Sequence, residues 1–199
     1  MRLATRILAG LALVAFCATP AFAQGGKAGA GGMSFGVGGA YLMPGGDLGD
    51  GADAGIGGEA SFRYGVARNI GVLAGFGYSM HGVTGISDKL NIMRIVVAPR
   101  YTIAMASMPK LAPFVGARVQ YAMGSLSTGG SKIKNSGIGF GGEAGVQYTM
   151  SPSLSLEGAV SFVSQNFGDV SVDGTKAPGT DTSGSIIGFG VGVVFKFGH

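Results

Sequence analysis

The chain has 199 residues, of which 12% are charged and 40 are glycine, and its formal net charge is +4. The charged fraction is about half of that usual for a soluble domain. No cluster of Lys and Arg indicates a nucleic-acid surface, so we expect no nucleic-acid partner. Glycine alternates with large apolar residues, which excludes the composition of a disordered segment.

The first predicted element is a cleaved secretory signal peptide over residues 1–23. Arg2 and Arg6 form its basic start, residues 7–17 its apolar stretch, and Ala-Phe-Ala at 21–23 its cleavage site. The apolar stretch is shorter than the roughly 20 residues that a membrane-spanning helix needs. Its removal lowers the formal net charge from +4 to +2 and takes away the single cysteine. The mature chain is then without disulfides, thiol nucleophiles and cysteine metal sites.

Residues 24–32 are a predicted flexible leader, and residues 33–199 are the predicted folded domain. Eight stretches of this domain alternate with a period of two, the period of a β-strand. They are residues 33–43, 54–64, 70–80, 93–101, 111–121, 138–148, 154–162 and 187–197. One parity is apolar apart from tyrosine hydroxyls, and the other holds small and charged residues. The pattern predicts an all-β fold, an eight-stranded antiparallel up-and-down transmembrane β-barrel, closed so that no edge is exposed.

The connections between the predicted strands alternate in length. The short ones are residues 65–69 and 149–153, and residues 102–110 are intermediate. The long ones are residues 44–53, 81–92, 122–137 and 163–186. This alternation is typical of an outer-membrane barrel with extended outer loops and short periplasmic turns. With an even strand number, both chain termini are predicted to face the periplasm.

All six tyrosines lie on the apolar parity and close to a predicted strand end. Tyr41, Tyr78 and Tyr121 are expected at the outer rim. The periplasmic rim is expected to hold Tyr64, Tyr101, Tyr148 and Phe197. Rings with an apolar body and a polar tip favour the headgroup zone, which predicts a membrane-interface girdle at each rim. The alternative is the ordinary enrichment of tyrosine in soluble sheets.

The opposite parity predicts a charge network inside the barrel. Its members are Glu59, Arg63, Arg94, Arg100, Arg118, Glu143, Glu157 and Lys196. Glycines on this parity leave room for long side chains in a lumen that is just wide enough to be filled. We expect the charges to pair, with Gln120 and Gln147 completing the hydrogen bonds, because isolated charges there are costly. The network either fills and rigidifies the core or lines a narrow ion path, and acid/base chemistry by its carboxylates is a third possibility.

Two neighbouring segments resemble a known family. Residues 92–101 (Ile-Met-Arg-Ile-Val-Val-Ala-Pro-Arg-Tyr) and 111–118 (Leu-Ala-Pro-Phe-Val-Gly-Ala-Arg) resemble the central strands of the small outer-membrane β-barrels typified by the OmpA transmembrane domain and OmpX. Alternating glycines at 188–192 and Val-Phe-Lys-Phe at 194–197 resemble that family's last strand. The resemblance implies insertion into the outer membrane of a Gram-negative bacterium by the barrel-assembly machinery.

Other chemistry-bearing residues are sparse. His81, predicted to open the second outer loop near Asp88, is not accompanied by the partners that metal binding or catalysis requires. Three loop acids, Asp47, Asp50 and Asp53, are interpreted as part of a solvated turn rather than a Ca²⁺ site. Lys132 and Lys134 are candidates for contact with lipopolysaccharide phosphates. We expect no catalytic residue, cofactor or metal.

The sequence therefore predicts a non-enzymatic, monomeric outer-membrane barrel. Its expected role is structural, in envelope integrity, or interactive, through loops offered to a surface ligand of unknown identity. The expected partners are outer-membrane lipid and lipopolysaccharide. A narrow porin-like pore is the alternative, and an outer-membrane enzyme acting on lipid A is the third possibility. A soluble lipocalin-like barrel, with its apolar parity inside, is the alternative fold.

Overall fold

The computed structural model describes residues 31–83, 85–168, 170–177 and 181–197. The predicted signal peptide and residues 24–30 of the predicted leader lie outside the described residues. The elements are β1 (Met33–Gly45), α1 (Asp47–Gly51), β2 (Ala52–Ala67), β3 (Ile70–Val83), β4 (Ile86–Thr102), β5 (Leu111–Thr128), β6 (Ser131–Ser151), β7 (Leu154–Phe167), β8 (Val170–Val172), β9 (Thr175–Ala177) and β10 (Thr182–Phe197).

Eight of these strands close into a barrel. Strands β1 to β7 pair with their sequence neighbours, all antiparallel, and β7 pairs with β10. Closure comes from β1 and β10, which pair from Met33↔Phe197 to Gly45↔Ser185. The predicted eight-stranded antiparallel up-and-down barrel is thereby confirmed. We call the end that holds Met33 and Phe197 the turn end, and the opposite end the loop end.

The apolar parity faces away from the lumen. Val191, Ile56 and Phe140 are 70%, 64% and 61% exposed, and large apolar residues of all eight strands are exposed in the same way. A soluble barrel would bury these side chains. The lipocalin-like alternative is therefore wrong, and the outward apolar surface is that of a barrel surrounded by lipid.

At the loop end the strands run beyond their predicted bounds. Residues 122–137, predicted as a loop, are mostly strand, because β5 and β6 continue to a two-residue turn at Gly129 and Gly130, both with positive φ. Positive φ at both central residues is the hairpin geometry that glycine favours. The predicted loop over 163–186 is shortened from both sides and carries the hairpin β8–β9. Residues 81–92 are also largely strand, so His81 belongs to β3 and does not open a loop.

Hairpin β8–β9 adds to the sheet outside the closed barrel. Strand β8 pairs with β6 through Ile133↔Val172 and Lys134↔Ser171, and β9 pairs with β8. We call β6 residues 131–136 together with β8 and β9 the loop-end sheet. At the turn end, Gly31 and Gly32 exchange backbone hydrogen bonds with Gly65 at 2.8 and 2.9 Å, so these two residues of the predicted leader are held against β2.

Candidate functional site

Six of the eight predicted interior charges form one continuous chain of ion pairs across the lumen. In order, the chain runs Arg63, Glu157, Arg100, Glu143, Arg118 and Glu59. Arg63 Nη2 donates to Glu157 Oε1 at 3.0 Å, and Arg100 Nη1 donates to the same oxygen at 3.1 Å. Each of the two inner carboxylates is therefore shared by two guanidinium groups.

Glu143 is the centre of this chain and its most buried carboxylate. It accepts hydrogen bonds from Arg100 and, at 2.9 Å, from Arg118, and its side chain is only 1% exposed. Arg118 continues the chain to Glu59. Arg100 also stacks on Phe114, with Cζ at 4.4 Å from the ring centroid, which adds a cation–π contact. Arginine suits such positions because its planar fork can serve two carboxylates at once.

Inward glycines make space for these side chains. A Cβ at Gly36 would lie 2.9 Å from Nη2 of Arg63, and a Cβ at Gly77 would lie 3.2 Å from Nη2 of Arg94. Any larger residue at either position would displace the guanidinium group. The structure thus places the inward glycines where long charged side chains cross the lumen.

Arg94 and Lys196, the other two predicted members, lie apart from the chain of ion pairs. Arg94 is 3% exposed and donates from Nη1 to Ser79 Oγ at 3.0 Å. Lys196 lies near the turn end, where its Nζ donates to Thr149 Oγ1 at 3.3 Å. Within the described ranges neither residue has a carboxylate within ion-pairing distance.

His81 is 1% exposed inside the barrel, next to Ser79, and not in a loop. Its Nδ1 donates to the carbonyl of Asp53 at 3.1 Å, and its Nε2 is 3.1 Å from Ser79 Oγ. Ser79, itself 0% exposed, therefore binds both His81 and Arg94. The prediction placed this histidine wrongly, although its inward parity continues that of β3 and could have located it.

Gln120 was predicted to lie inside the barrel, and its partner there, Gln165, was not. Gln120 Nε2 donates to Gln165 Oε1 at 3.0 Å, and both side chains are buried. Gln165 fell in a predicted loop, whereas extending the parity of β7 by three residues would have directed it inward. These amides form a neutral polar layer between the ion pairs and the loop end.

An apolar cluster follows at the loop end. Ile92, Ala122 and Phe167 are buried against one another, and Leu90 and Leu48 pack on them. Leu48 comes from α1, which lies across this end of the barrel. We call these five residues the apolar stopper.

Two cavities lie inside the lumen. A cavity of about 100 Å³ lies along the chain of ion pairs, and a second cavity of about 230 Å³ lies at the turn end. A lumen that conducts freely would be continuous and water-filled. Here the interior space is divided by ion pairs and bounded at the loop end by the apolar stopper.

The predicted girdle residues lie on the outward face at two levels. Tyr41, Tyr78, Tyr101, Tyr121, Tyr148 and Phe197 are exposed, and Tyr64 is half-buried. On β4, Met93 lies opposite Tyr78 of the loop-end girdle. Tyr101, which belongs to the turn-end girdle, follows Met93 on the same strand after eight residues. Eight steps of a tilted strand are about 20 Å along the barrel axis. This spacing is close to the apolar band of about 25 Å in outer-membrane barrels.

Above the loop-end girdle, the outward face of β4, β5 and β6 changes from apolar to polar and basic. Tyr78 Oη donates to Asn91 Oδ1 at 2.8 Å. On the loop-end sheet, Lys134 is in register with Ser171, and Ser171 with Lys176, so both lysines share the outward face. Both are exposed, as is Lys132 two residues along β6. We call Lys134, Ser171 and Lys176 the basic ladder.

Asp173 fixes the turn of the added hairpin. Its φ is 48° and that of Gly174 is 87°, which makes a two-residue hairpin turn. The backbone N–H of Lys132 donates to Asp173 Oδ1 at 2.8 Å. This hydrogen bond, and a second one from the Ser131 hydroxyl, lower the pKa of the Asp173 carboxyl below its usual range.

The loop acids do not come together. Asp47 and Asp50 lie in α1, whereas Asp53 lies in β2 with its carbonyl bound to His81. No group of three or more His, Cys, Asp or Glu that could hold a metal occurs in the described part of the chain. Among the same residues, no helix is long and apolar enough to cross a membrane.

The outward apolar band and the filled, charged lumen together define a small outer-membrane barrel protein. The family model for the outer membrane protein beta-barrel domain matches residues 9–197, and the chain belongs to this family. The predicted resemblance is therefore confirmed, as is the outer-membrane location.

Solved structures of small outer-membrane proteins share this fold. Neisserial surface protein A is 19% identical, with a TM-score of 0.65, over 83% of this chain and 97% of that chain. OprG of Pseudomonas aeruginosa is 17% identical, with a TM-score of 0.59, over 86% and 98%. Ail, the attachment invasion locus protein of Yersinia pestis, is 14% identical, with a TM-score of 0.54, over 84% and 99%. No curated protein matches the chain.

Proposed function

We propose that this barrel is a non-enzymatic surface protein whose loop-end sheet contacts the phosphate groups of lipopolysaccharide. In this proposal the loop end faces outward, and both termini face the periplasm. The observation that carries the proposal is the basic ladder, which holds Lys134 and Lys176 on the outward face of strands that continue past the girdle. Phosphate oxygens are strong acceptors for ammonium groups.

The height of the ladder fits this ligand. Lys134 lies opposite Ser125 on β5, four residues beyond Tyr121. Four residues of a tilted strand rise about 10 Å along the barrel axis. The tyrosine rings mark the headgroup level, so the two ammonium groups reach the layer in which the sugar phosphates of lipopolysaccharide lie.

Lys132 is expected to contribute less than the two ladder lysines. The Asp173 carboxylate accepts the backbone N–H of Lys132 and places a negative charge beside this residue. The neighbour between Lys134 and Lys176 is instead the neutral hydroxyl of Ser171. Compared with the sequence-based candidates, the proposal therefore retains Lys134 and adds Lys176.

Binding of purified lipopolysaccharide to the folded full chain in detergent micelles tests the proposal. The variant Lys134→Gln/Lys176→Gln is compared with Lys110→Gln/Arg68→Gln, which removes the same charge at the turn end. At about 1 kcal/mol for each lysine near an anionic surface, the ladder variant is expected to bind about 30-fold more weakly. Dephosphorylated lipopolysaccharide should bind the wild type equally weakly. Equal affinities of the two variants would refute the contact.

The enzyme and pore alternatives receive less support from the geometry. Ser79 and His81 are adjacent but fully buried, and Ser79 is also bound by Arg94. A lipid substrate would have to reach a hydroxyl group in the packed interior. A pore would have to pass both the chain of ion pairs and the apolar stopper.

A further inference from the structure

The turn end of the lumen contains a cavity whose lining is rich in positive charge. Its volume is about 230 Å³, whereas a single water needs only about 10–15 Å³ on this scale. The residues that matter in its lining are Ser34, Arg63, Arg100, Gln147, Glu157 and Lys196. We call this cavity the vestibule.

One positive charge at the vestibule, that of Lys196, is not balanced, because the chain of ion pairs holds three guanidinium groups and three carboxylates. Arg63, Arg100 and Lys196 provide three positive charges, whereas Glu157 is the single carboxylate in the lining. That carboxylate is already shared by both guanidinium groups. Glu143, the next carboxylate, is divided between Arg100 and Arg118. The ammonium group of Lys196 has a hydroxyl group as its hydrogen-bond partner, and no carboxylate of the described residues pairs with it.

Arg63 also has an unused donor. Its Nη1 and Nη2 bind Glu157, but its Nε is buried without a hydrogen-bond partner among the described residues. A buried, unpaired donor is costly and is normally satisfied by a protein group, water or ligand. In register, Ser34 lies between Arg63 on β2 and Lys196 on β10, so both cations border the same small residue.

We propose that the vestibule binds a small oxyanion, such as inorganic phosphate, between Lys196 and Arg63. A tetrahedral oxyanion offers several acceptors to the ammonium group, the guanidinium group and the amide of Gln147. It also neutralises the charge of Lys196, which no carboxylate of the described residues pairs with. The site requires no contact with the loop-end sheet, so it stands or fails independently of lipopolysaccharide binding.

The experiment is a calorimetric titration of the folded full chain in micelles with inorganic phosphate, at constant ionic strength set with chloride. We expect saturable binding to the wild type. Lys196→Gln should bind at least 10-fold more weakly, and Lys89→Gln, which removes an exposed charge of β4 at the loop end, should bind like the wild type. Absence of saturable binding to the wild type, or equal binding to both variants, would overturn the proposal.

A second variant guards against misfolding of Lys196→Gln. Ser34→Asp places a carboxylate between the two cations, where it should replace the oxyanion. We expect this variant to lose phosphate binding and to gain thermal stability. Thermal stability is measured as the temperature to which a sample must be heated before electrophoresis for its folded band to disappear. Retained phosphate binding in folded Ser34→Asp would overturn the proposal, as would the absence of phosphate binding to the wild type.

Discussion

The turn-end half and the loop-end half of the lumen are filled by different interactions. Toward the turn end, six side chains of alternating charge form ion pairs above a cationic cavity. Toward the loop end, the amide pair and the hydrogen bonds of Ser79 with Arg94 and His81, without an ion pair among the described residues, lead to the apolar stopper, on which Leu48 of α1 packs. Charges are placed where inward glycines leave room for them, and apolar side chains close the end that carries the long connections.

The difference also separates the two roles of basic residues in this chain. The interior arginines of the chain of ion pairs, Arg63, Arg100 and Arg118, are matched to carboxylates, so they serve the fold. Exposed lysines of the loop-end sheet project from an outward face without such partners in the ladder, so they are available to a ligand. The proposed function follows from this second group.

Removing a charge from the chain of ion pairs should lower the free energy of unfolding the most. Glu143→Gln leaves Arg100 and Arg118 without their shared charge, and losing one partner of a buried ion pair costs about 3–5 kcal/mol. We expect a corresponding decrease in the free energy of unfolding, measured in urea with lipid vesicles. Glu59→Gln, at the less buried end of the chain of ion pairs, is the matched comparison and should lose less than half as much. Equal losses would show that the chain has no buried centre.

Truncating a side chain of the apolar stopper should lower the free energy of unfolding somewhat less. Ile92→Ala removes a buried side chain from the stopper, and such truncations cost about 2–5 kcal/mol. We expect the lower part of this range, because the stopper lies next to solvent. The same urea titration measures the change, and Ile95→Ala on the lipid-facing parity of β4 is the control. A smaller loss for Ile92→Ala than for Ile95→Ala would contradict the assignment of the stopper.

Arg94 differs from the other interior arginines, because it is buried without an ion pair among the described residues. Replacing an unpaired buried charge with an apolar side chain of similar length is expected to be nearly neutral. Arg94→Met should therefore change the free energy of unfolding by no more than about 1 kcal/mol. A loss as large as that of Glu143→Gln would mean that Arg94 belongs to the ionic network.

The smallest effect concerns pH and the added hairpin. Because the folded pKa of Asp173 lies below the unfolded value, its carboxylate stabilises the turn above about pH 4, and this contribution is lost as the pH falls through the folded pKa. Hydrogen exchange of the Lys132 amide should therefore accelerate at low pH beyond the intrinsic change. Asp173→Asn should exchange faster already at neutral pH. Slow exchange in this variant would contradict the role of the carboxylate.

The sequence predicted the strand number, the pairing order and the lipid-facing side, because a period of two with one apolar face leaves few alternative folds. It missed the strand extensions at the loop end for a physical reason. Beyond the girdle the outward positions are Asn91, Ser125 and Lys134, which no longer face lipid, so the apolar signal stops although the backbone pairing continues.

The partners of the interior charges could not be predicted from parity alone. Parity placed Arg63, Arg94 and Arg118 inside the barrel, but the choice of carboxylate depends on the stagger between strands. That stagger brings Glu157 to Arg63 and leaves Arg94 on Ser79. Lys176 was missed because β8 and β9 are only three residues each and carry no periodic pattern.

Unitary conductance of the purified full chain in planar bilayers shows whether the lumen is closed or is a pore. We predict no conductance steps for the wild type, because the ion pairs and the apolar stopper interrupt the path in series. Reproducible steps in the wild type that change in size with Glu143→Gln would contradict a closed lumen and establish a pore.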